Sequence, residues 1–495
     1  MRCRAGMIGG PTESTSRDRM RYTHTSTLNA RLAALMLLFA VPLERVEAVT
    51  FERPDSLQPA IGFWTRVYGE VDSLSGFIHD SDNLSVVYET LRFNWYDSAQ
   101  VQERRVEEAV ACYQRALDAL ADGKRKNLTV CEQKVLTLWG GKASAERLTA
   151  AAGRIRFQRG QADRMREGII RAGAWEQRIR KRLRDAGLPE ALAVLPYVES
   201  SYNPQVESHL GAVGLWQFTR FTGRHYLRVD EVVDERYDPV KSTDGAIRLL
   251  ANYYSKLHSW PLAITAYNHG LSGMRQAVQE TGGTDIGEIV RTYTGPRFGF
   301  ASRNFYAAFL AAGDVTRNAE KYFGKLHRQQ AENYWIVKVP GYLPLDNLVR
   351  ELAVDQEVIK ALNPALRPAV WSNKKYVPKG FQLRLPAATE SATITAMLAR
   401  VQGHAQQIPD FFYRVKAGDT LSGIALRYNH SVSDLMILNN LHSENRIRAG
   451  QSLRLYSALV PETILTASMD SARDDRERVL PPAEEASLET VAAVP

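Results

Sequence analysis

A chain of 495 residues has room for roughly two to four domains, each with its own core. With 44% apolar and 24% charged residues it has the composition of a globular protein, which excludes a fibrous or wholly disordered chain. The net charge of +8 calls for an anionic or polymeric partner, but no aromatic-and-basic module and no zinc-ligand spacing points to nucleic acid.

Arg31 precedes the apolar run Leu32–Val41, and Val46-Glu47-Ala48 offers small residues for cleavage. This reads as a secretory signal over residues 1–48, too short to span a bilayer, with Met20 as an alternative start. Export implies an oxidising compartment. Loss of Cys3 with the signal leaves Cys112 and Cys131 as an even pair.

Residues 50–184 read as a mixed, largely helical region with no evident chemistry before residue 110. Gly76 to Tyr88 predicts a hairpin turning at Asp80–Asn83. Helical spacing follows over Val101–Leu120 and Leu128–Trp139, with a break at Asp122-Gly123-Lys124. An antiparallel pair of helices would bring Cys112 level with Cys131, so a disulfide is expected; the alternative is two buried thiols. From Ile155 to Arg184 the chain is rich in arginine. Interspersed acids and an apolar stripe of Ile169, Ile170, Trp175, Ile179 and Leu183 predict a solvated helical face.

The chemistry is expected in residues 185–315, which read as helical throughout. Leu188-Pro189-Glu190 opens a helix and Asn203-Pro204 closes it. On that helix Leu192, Leu195 and Glu199 share one face, so a carboxylate lies on the apolar side, where desolvation raises its pKa. Ser208 and Gly211 to Phe218 follow as a loop of small residues beside Trp216 and Gln217, open to a ligand. Ala266-Tyr267-Asn268-His269 comes later, then Tyr306 within Asn304 to Leu310. Glu199-Ser200, Gly214-Leu215-Trp216-Gln217, Ala266-Tyr267-Asn268 and Tyr306, in this order, resemble the catalytic domain of lytic transglycosylases, in the superfamily of goose-type lysozyme. Trp216 in place of the commoner Met resembles the D-type membrane-bound members, while His269 departs from the small residue that many members carry.

The last third holds a repeat. Residues 411–457, with Tyr413-Arg414-Val415, Gly418-Asp419-Thr420, Leu438-Asn439-Asn440 and Gly450 to Leu455, read as strand, two helices, strand and resemble the LysM carbohydrate-binding module. Residues 335–386 form a degenerate copy lacking the Gly-Asp-Thr turn; 387–410 read as a linker, and 458–495 as a disordered tail. The expected fold class is therefore mainly α, a lysozyme-like helical catalytic domain, with small α/β (βααβ) LysM modules.

The resemblance implies cleavage of the β-1,4 bond between MurNAc and GlcNAc of peptidoglycan, leaving 1,6-anhydro-MurNAc ends. It gives the acid and base duties to Glu199, with Ser208, Gln217, Tyr267 and Asn268 contacting substrate and Tyr306 lining the groove near Glu199. It implies no metal or other cofactor; the partner is the glycan strand, not nucleic acid, and the sequence specifies no protein partner. An exported, periplasmic, wall-associated protein is expected, without a lipobox cysteine after the apolar run. Two rivals stand: a goose-type hydrolase, which needs a further Asp to activate water (Asp234, Asp238 or Asp244), and a catalytically inactive peptidoglycan-binding protein.

Overall fold

The computed structural model describes residues 51–141, 143–387, 391–441 and 443–457. The expected signal segment and tail lie outside the described residues.

Helix α1 (Gln58–Gly69) begins with a proline in its first turn and buries Ile61, Trp64, Val67 and Tyr68. Strands β1 (Ser75–Asp80) and β2 (Val87–Arg92) form an antiparallel hairpin. Its turn is set by Asp80, whose Oδ1 accepts the Asp82 and Asn83 amides at 2.9 and 2.8 Å. Because strand side chains alternate, Phe77 enters one core and Ile78 another. On the Ile78 side pack α2 (Ala99–Ala121), α3 (Val130–Trp139) and α4 (Ala145–Ala152), led by Tyr113, Leu117, Leu120, Val135 and Leu148. Cys112 and Cys131 are bonded, joining α2 to α3.

The arginine-rich stretch is not one solvated helical face. Ile155–Arg159 is strand β3, paired with the other edge of β1 to give the order β2-β1-β3. Gly160 ends it where a Cβ would meet the Val71 carbonyl at 2.2 Å, an approach only glycine permits. Helices α5 (Ala162–Ala172) and α6 (Glu176–Asp185) follow.

The next helices are α7 (Leu195–Ser200), α8 (Arg220–Tyr226), α9 (Pro239–Leu257), α10 (Trp260–His269), α11 (Leu271–Thr281), α12 (Ile286–Thr292), α13 (Phe300–Arg317) and α14 (Ala319–Phe323). Helix α13 is apolar nearly all round, from Phe305 to Val315, and so serves as the central helix. A single core runs from Leu57 through Met165 and Ile179 to Val315. The division expected at 184/185 therefore does not divide the core, since α1, α5 and α6 cover apolar surface of the helices that follow.

Two βααβ modules complete the described chain. In the first, β4 (Tyr334–Lys338) pairs antiparallel with β5 (Gln382–Pro386) around α15 (Leu345–Leu352), α16 (Gln356–Leu362) and the short α17 (Pro368–Trp371). Helix α18 (Ser391–Arg400) lies in the expected linker and contributes Ile394 and Leu398 to this module's core. In the second, β6 (Asp410–Arg414) pairs with β7 (Ser452–Tyr456) around α19 (Leu421–Arg427) and α20 (Val432–Leu438).

The modules are docked. Arg384 of β5 makes a buried ion pair at 2.6 Å with Asp238, the carboxylate that also caps α9. The Asp234 amide donates to the Ala365 carbonyl, and Val232 and Val233 join the first module's core. Lys375 of the first module pairs with Asp410 of the second at 2.7 Å, and Arg454 of the second pairs with Glu231 at 2.7 Å.

Candidate active site

The segment 188–203 is not one continuous helix. A 3-10 turn over Glu190–Val194 precedes the six-residue α7, where Pro196 occupies the first turn because its missing N–H needs no partner there. Ser201 (φ 48°) and Tyr202 (φ 55°) then turn left-handed and stop it. Leu192 and Leu195 are fully buried beneath, the Tyr202 hydroxyl donates to the Ala193 carbonyl, and Glu199 in the last turn faces a cavity of about 680 Å³.

Glu199 is part-buried as a residue, but its carboxyl sits deep in that cavity, and desolvation pushes it from 4.5 up to about 8. Among the described residues it is the one carboxylate in the lining. The Tyr68 hydroxyl, itself raised by burial, stands within its field. Trp64 and Tyr68 of α1, with Phe300, Asn304 and Phe305 of α13, supply aromatic and amide walls. Arg156, Arg159, Arg164 and Arg171 supply positive charge.

The loop after α7 is tied to it: the Ser200 hydroxyl donates to the Leu215 carbonyl at 2.8 Å. Gly214 has φ 78°, and a Cβ there would meet the Arg236 carbonyl at 2.0 Å, so glycine is required twice over. Under the loop Arg236, paired with the buried Asp234 at 2.8 Å, donates to the Gly211 and Phe218 carbonyls. Gln217 (φ 48°) donates from Nε2 to the Gly214 carbonyl at 2.9 Å, leaving its buried Oε1 unpartnered. Ser208 accepts the Ala212 amide at 3.0 Å. Trp216 is fully buried and donates to Thr243, so it supports the loop from below.

From α10, the Tyr267 hydroxyl donates to the Trp216 carbonyl at 2.7 Å, and Glu199 raises its pKa further beyond the effect of burial. Asn268 accepts from Ser302 at 2.8 Å. His269 packs against Phe298 and Tyr293 at centroid distances of 5.0 and 6.3 Å, with burial lowering its pKa. It belongs to an aromatic cluster of the core.

Tyr306 is misplaced by the sequence reading. It is buried, and its hydroxyl donates to the Glu52 carbonyl at 2.6 Å. A helical step of about 100° separates neighbours on α13, so Phe305, not Tyr306, reaches the Glu199 cavity. The sequence reading also missed Trp64, Tyr68 and the four arginines, whose positions depend on contacts between elements remote in sequence. Phe300 lines the cavity, while Phe298 is core.

Residues 177–290 match the family model of the transglycosylase SLT domain, and 413–455 match that of the LysM domain. In these two stretches the chain is similar to the SLT and LysM domain families. The SLT match contains Glu199, Ser208, Gln217, Tyr267 and Asn268 and ends before Tyr306. The LysM match falls on the second βααβ module. Membrane-bound lytic murein transglycosylase D of Escherichia coli (strain K12) is 26% identical over 294 residues, 58% of this chain and 64% of that protein. The chain thus spans under two thirds of that relative's length. Two solved structures also match: an inactive mutant of lytic transglycosylase Slt from Pseudomonas aeruginosa (16% identity, 46% of this chain, 38% of that one, TM-score 0.27) and the 70 kDa soluble lytic transglycosylase of Escherichia coli (20%, 45%, 37%, 0.27).

Proposed function

We propose that the protein is a peptidoglycan lytic transglycosylase that cuts the β-1,4 bond between MurNAc and GlcNAc and leaves 1,6-anhydro-MurNAc ends, with the LysM domain holding the glycan. The observation that carries this reading is Glu199, a lone carboxylate in a large cavity with its pKa raised to about 8. Glycoside cleavage with two carboxylates divides acid and base duties between them; a single one must do both in turn. At neutral pH Glu199 holds its proton and donates it to the leaving glycosidic oxygen as the C1–O bond breaks. The substrate's N-acetyl group stabilises the cationic C1. The resulting Glu199 carboxylate then takes the proton of the C6 hydroxyl as that oxygen bonds to C1, which closes the anhydro ring and restores the acid.

Substrate contacts are assigned to Ser208, Gln217, Tyr267 and Asn268. None of the four is in the lining of the Glu199 cavity; Tyr267, whose hydroxyl donates to the Trp216 carbonyl, lies within the field of Glu199. A hydrolase would need a second acid to activate water. Asp234 is paired with Arg236, Asp238 with Arg384 and Asp244 with Arg182, and none lines the cavity. An envelope location with export through residues 1–48 belongs to the same proposal. Among the described residues no helix is long and apolar enough to cross a membrane. The test is digestion of purified sacculi followed by mass spectrometry: anhydro ends are expected, and reducing ends would make the protein a hydrolase.

A further inference from the structure

Once Glu199 has given up its proton it is a carboxylate in a cavity where burial disfavours its charge. The arginines of the lining, Arg156 and Arg159 on β3 and Arg164 and Arg171 on α5, do not draw its pKa back down. A neutral donor is what remains to steady that charge. Two tyrosine hydroxyls stand within the field of Glu199, those of Tyr68 and Tyr267. The Tyr267 hydroxyl already donates to the Trp216 carbonyl at 2.7 Å, and the neighbouring Ser200 hydroxyl donates to the Leu215 carbonyl. The Tyr68 hydroxyl makes no hydrogen bond among the described residues.

Packing brings Tyr68 there. Trp64 and Tyr68 stand four residues apart on α1 and so share a face; both line the cavity, with ring centroids 5.6 Å apart. Tyr68 is buried, and burial and Glu199 both raise its pKa, so the hydroxyl keeps its proton through neutral pH and remains a donor. Helix α13, packed on α1, turns Phe305 into the same cavity, a ring with no hydroxyl to offer. Helix α1 ends at Gly69 and the SLT match begins at residue 177, so Tyr68 belongs to chain outside that match.

We propose that Tyr68 is a positioning residue for Glu199: its hydroxyl donates to the Glu199 carboxylate in the interval between the two proton transfers. Glu199 gives its proton to the glycosidic oxygen, and Tyr68 holds the resulting anion while keeping its own proton. Glu199 then takes the proton of the C6 hydroxyl and the contact relaxes. A donor whose bond strengthens only as charge forms lowers the barrier without tightening substrate binding. The inference rests on Glu199 being the acid of the function proposed above, and adds the group that stabilises its charged form.

The test is Tyr68→Phe in the full-length protein, with turnover of soluble glycan strands followed from neutral to alkaline pH. The variant keeps the ring against Trp64 and loses a hydroxyl that serves no protein partner, so its melting temperature should match the parent's. At neutral pH kcat should fall about ten- to a hundredfold, with KM close to that of the parent. The alkaline fall in rate should move up by about one pH unit, because the carboxylate has lost a donor. Loosened packing would do the reverse, since water reaching Glu199 lowers its pKa. An unchanged kcat, a loss carried by KM, or an alkaline fall that stays in place or moves down would overturn the role of Tyr68. Reducing ends in place of anhydro ends, with both Tyr68 effects present, would overturn the transglycosylase reading and uphold that role.

Discussion

Glu199 is defined by what surrounds it. Its carboxyl is held in the acid form by desolvation rather than by a neighbouring anion, so its proton should be lost only as pH rises through about 8. The cleavage rate should be level through neutral pH and fall about tenfold per unit above that point. Glu199→Gln, which cannot exchange a proton, should lower release of anhydro ends on the order of 10³-fold with the fold intact. The stability sign follows from the same shift. The folded-state pKa lies above 4.5, so this group's contribution is complete below pH 4.5 and is lost as pH rises through about 8. The Gln variant escapes that loss and should melt higher than the parent at pH 8; identical melting curves across this range would mean the carboxyl is hydrated. Tyr306 makes the opposite case. Its hydroxyl serves the Glu52 carbonyl, so Tyr306→Phe should cost about 1 kcal/mol in denaturant unfolding and leave turnover alone. A large loss of turnover would return Tyr306 to the groove.

At the scale of elements, the small sheet β2-β1-β3 joins two cores. One face packs on α2, α3 and α4, with Ile78 at its centre, while Phe77 on the other enters the core shared with α1. The Cys112–Cys131 bond staples α2 to α3 on the face away from Glu199, closing a loop with a separation of 19 residues. In the chain-entropy model a loop of this size stabilises by roughly 3 kcal/mol. Replacing both cysteines by serine should therefore lower the melting temperature and spare specific activity. Parallel loss of activity would show that the sheet transmits the damage to Arg156 and Arg159 on β3.

At the scale of the molecule, the two βααβ modules differ in how they are attached. The first shares a core with Val232 and Val233 and completes the buried Asp238 pair, so removing it would strand a charge. The second is held by the buried Lys375–Asp410 pair and by Lys374–Asp434 and Arg454–Glu231, which lie nearer the surface. Truncation after Asp410 keeps the partner of the buried Lys375 and removes the rest of the LysM module. Pull-down by sacculi should weaken while turnover of short soluble strands stays close to that of the parent, because a tethered binder raises local substrate concentration without lowering the barrier. Soluble turnover falling in step with binding would place the module inside the catalytic unit.

What the sequence determined by itself is local. The acid at 199, the Gly214 to Gln217 loop, the Tyr267-Asn268 pair and the strand-helix-helix-strand order of residues 411–457 are legible because each is a short pattern of residue types at fixed spacing. The hairpin turn at Asp80 is legible for the same reason: an Asp carboxylate caps the amides two and three residues on. Tertiary structure decided the rest. Ile155–Arg159 is only five residues long, too short for its alternation to outweigh the helical spacing that follows, and it becomes a strand because β1 offers it an edge. Which of Phe305 and Tyr306 meets Glu199 depends on the rotation of α13, set by its packing against α1 and α10. Pro196 and the left-handed Ser201 shorten the helix of Glu199 to a single turn and more, which lifts the carboxyl into the cavity instead of leaving it on a long buried face. The arginines of the cavity come from residues more than twenty positions before Glu199, because the fold sets β3 and α5 along the same cavity as α7.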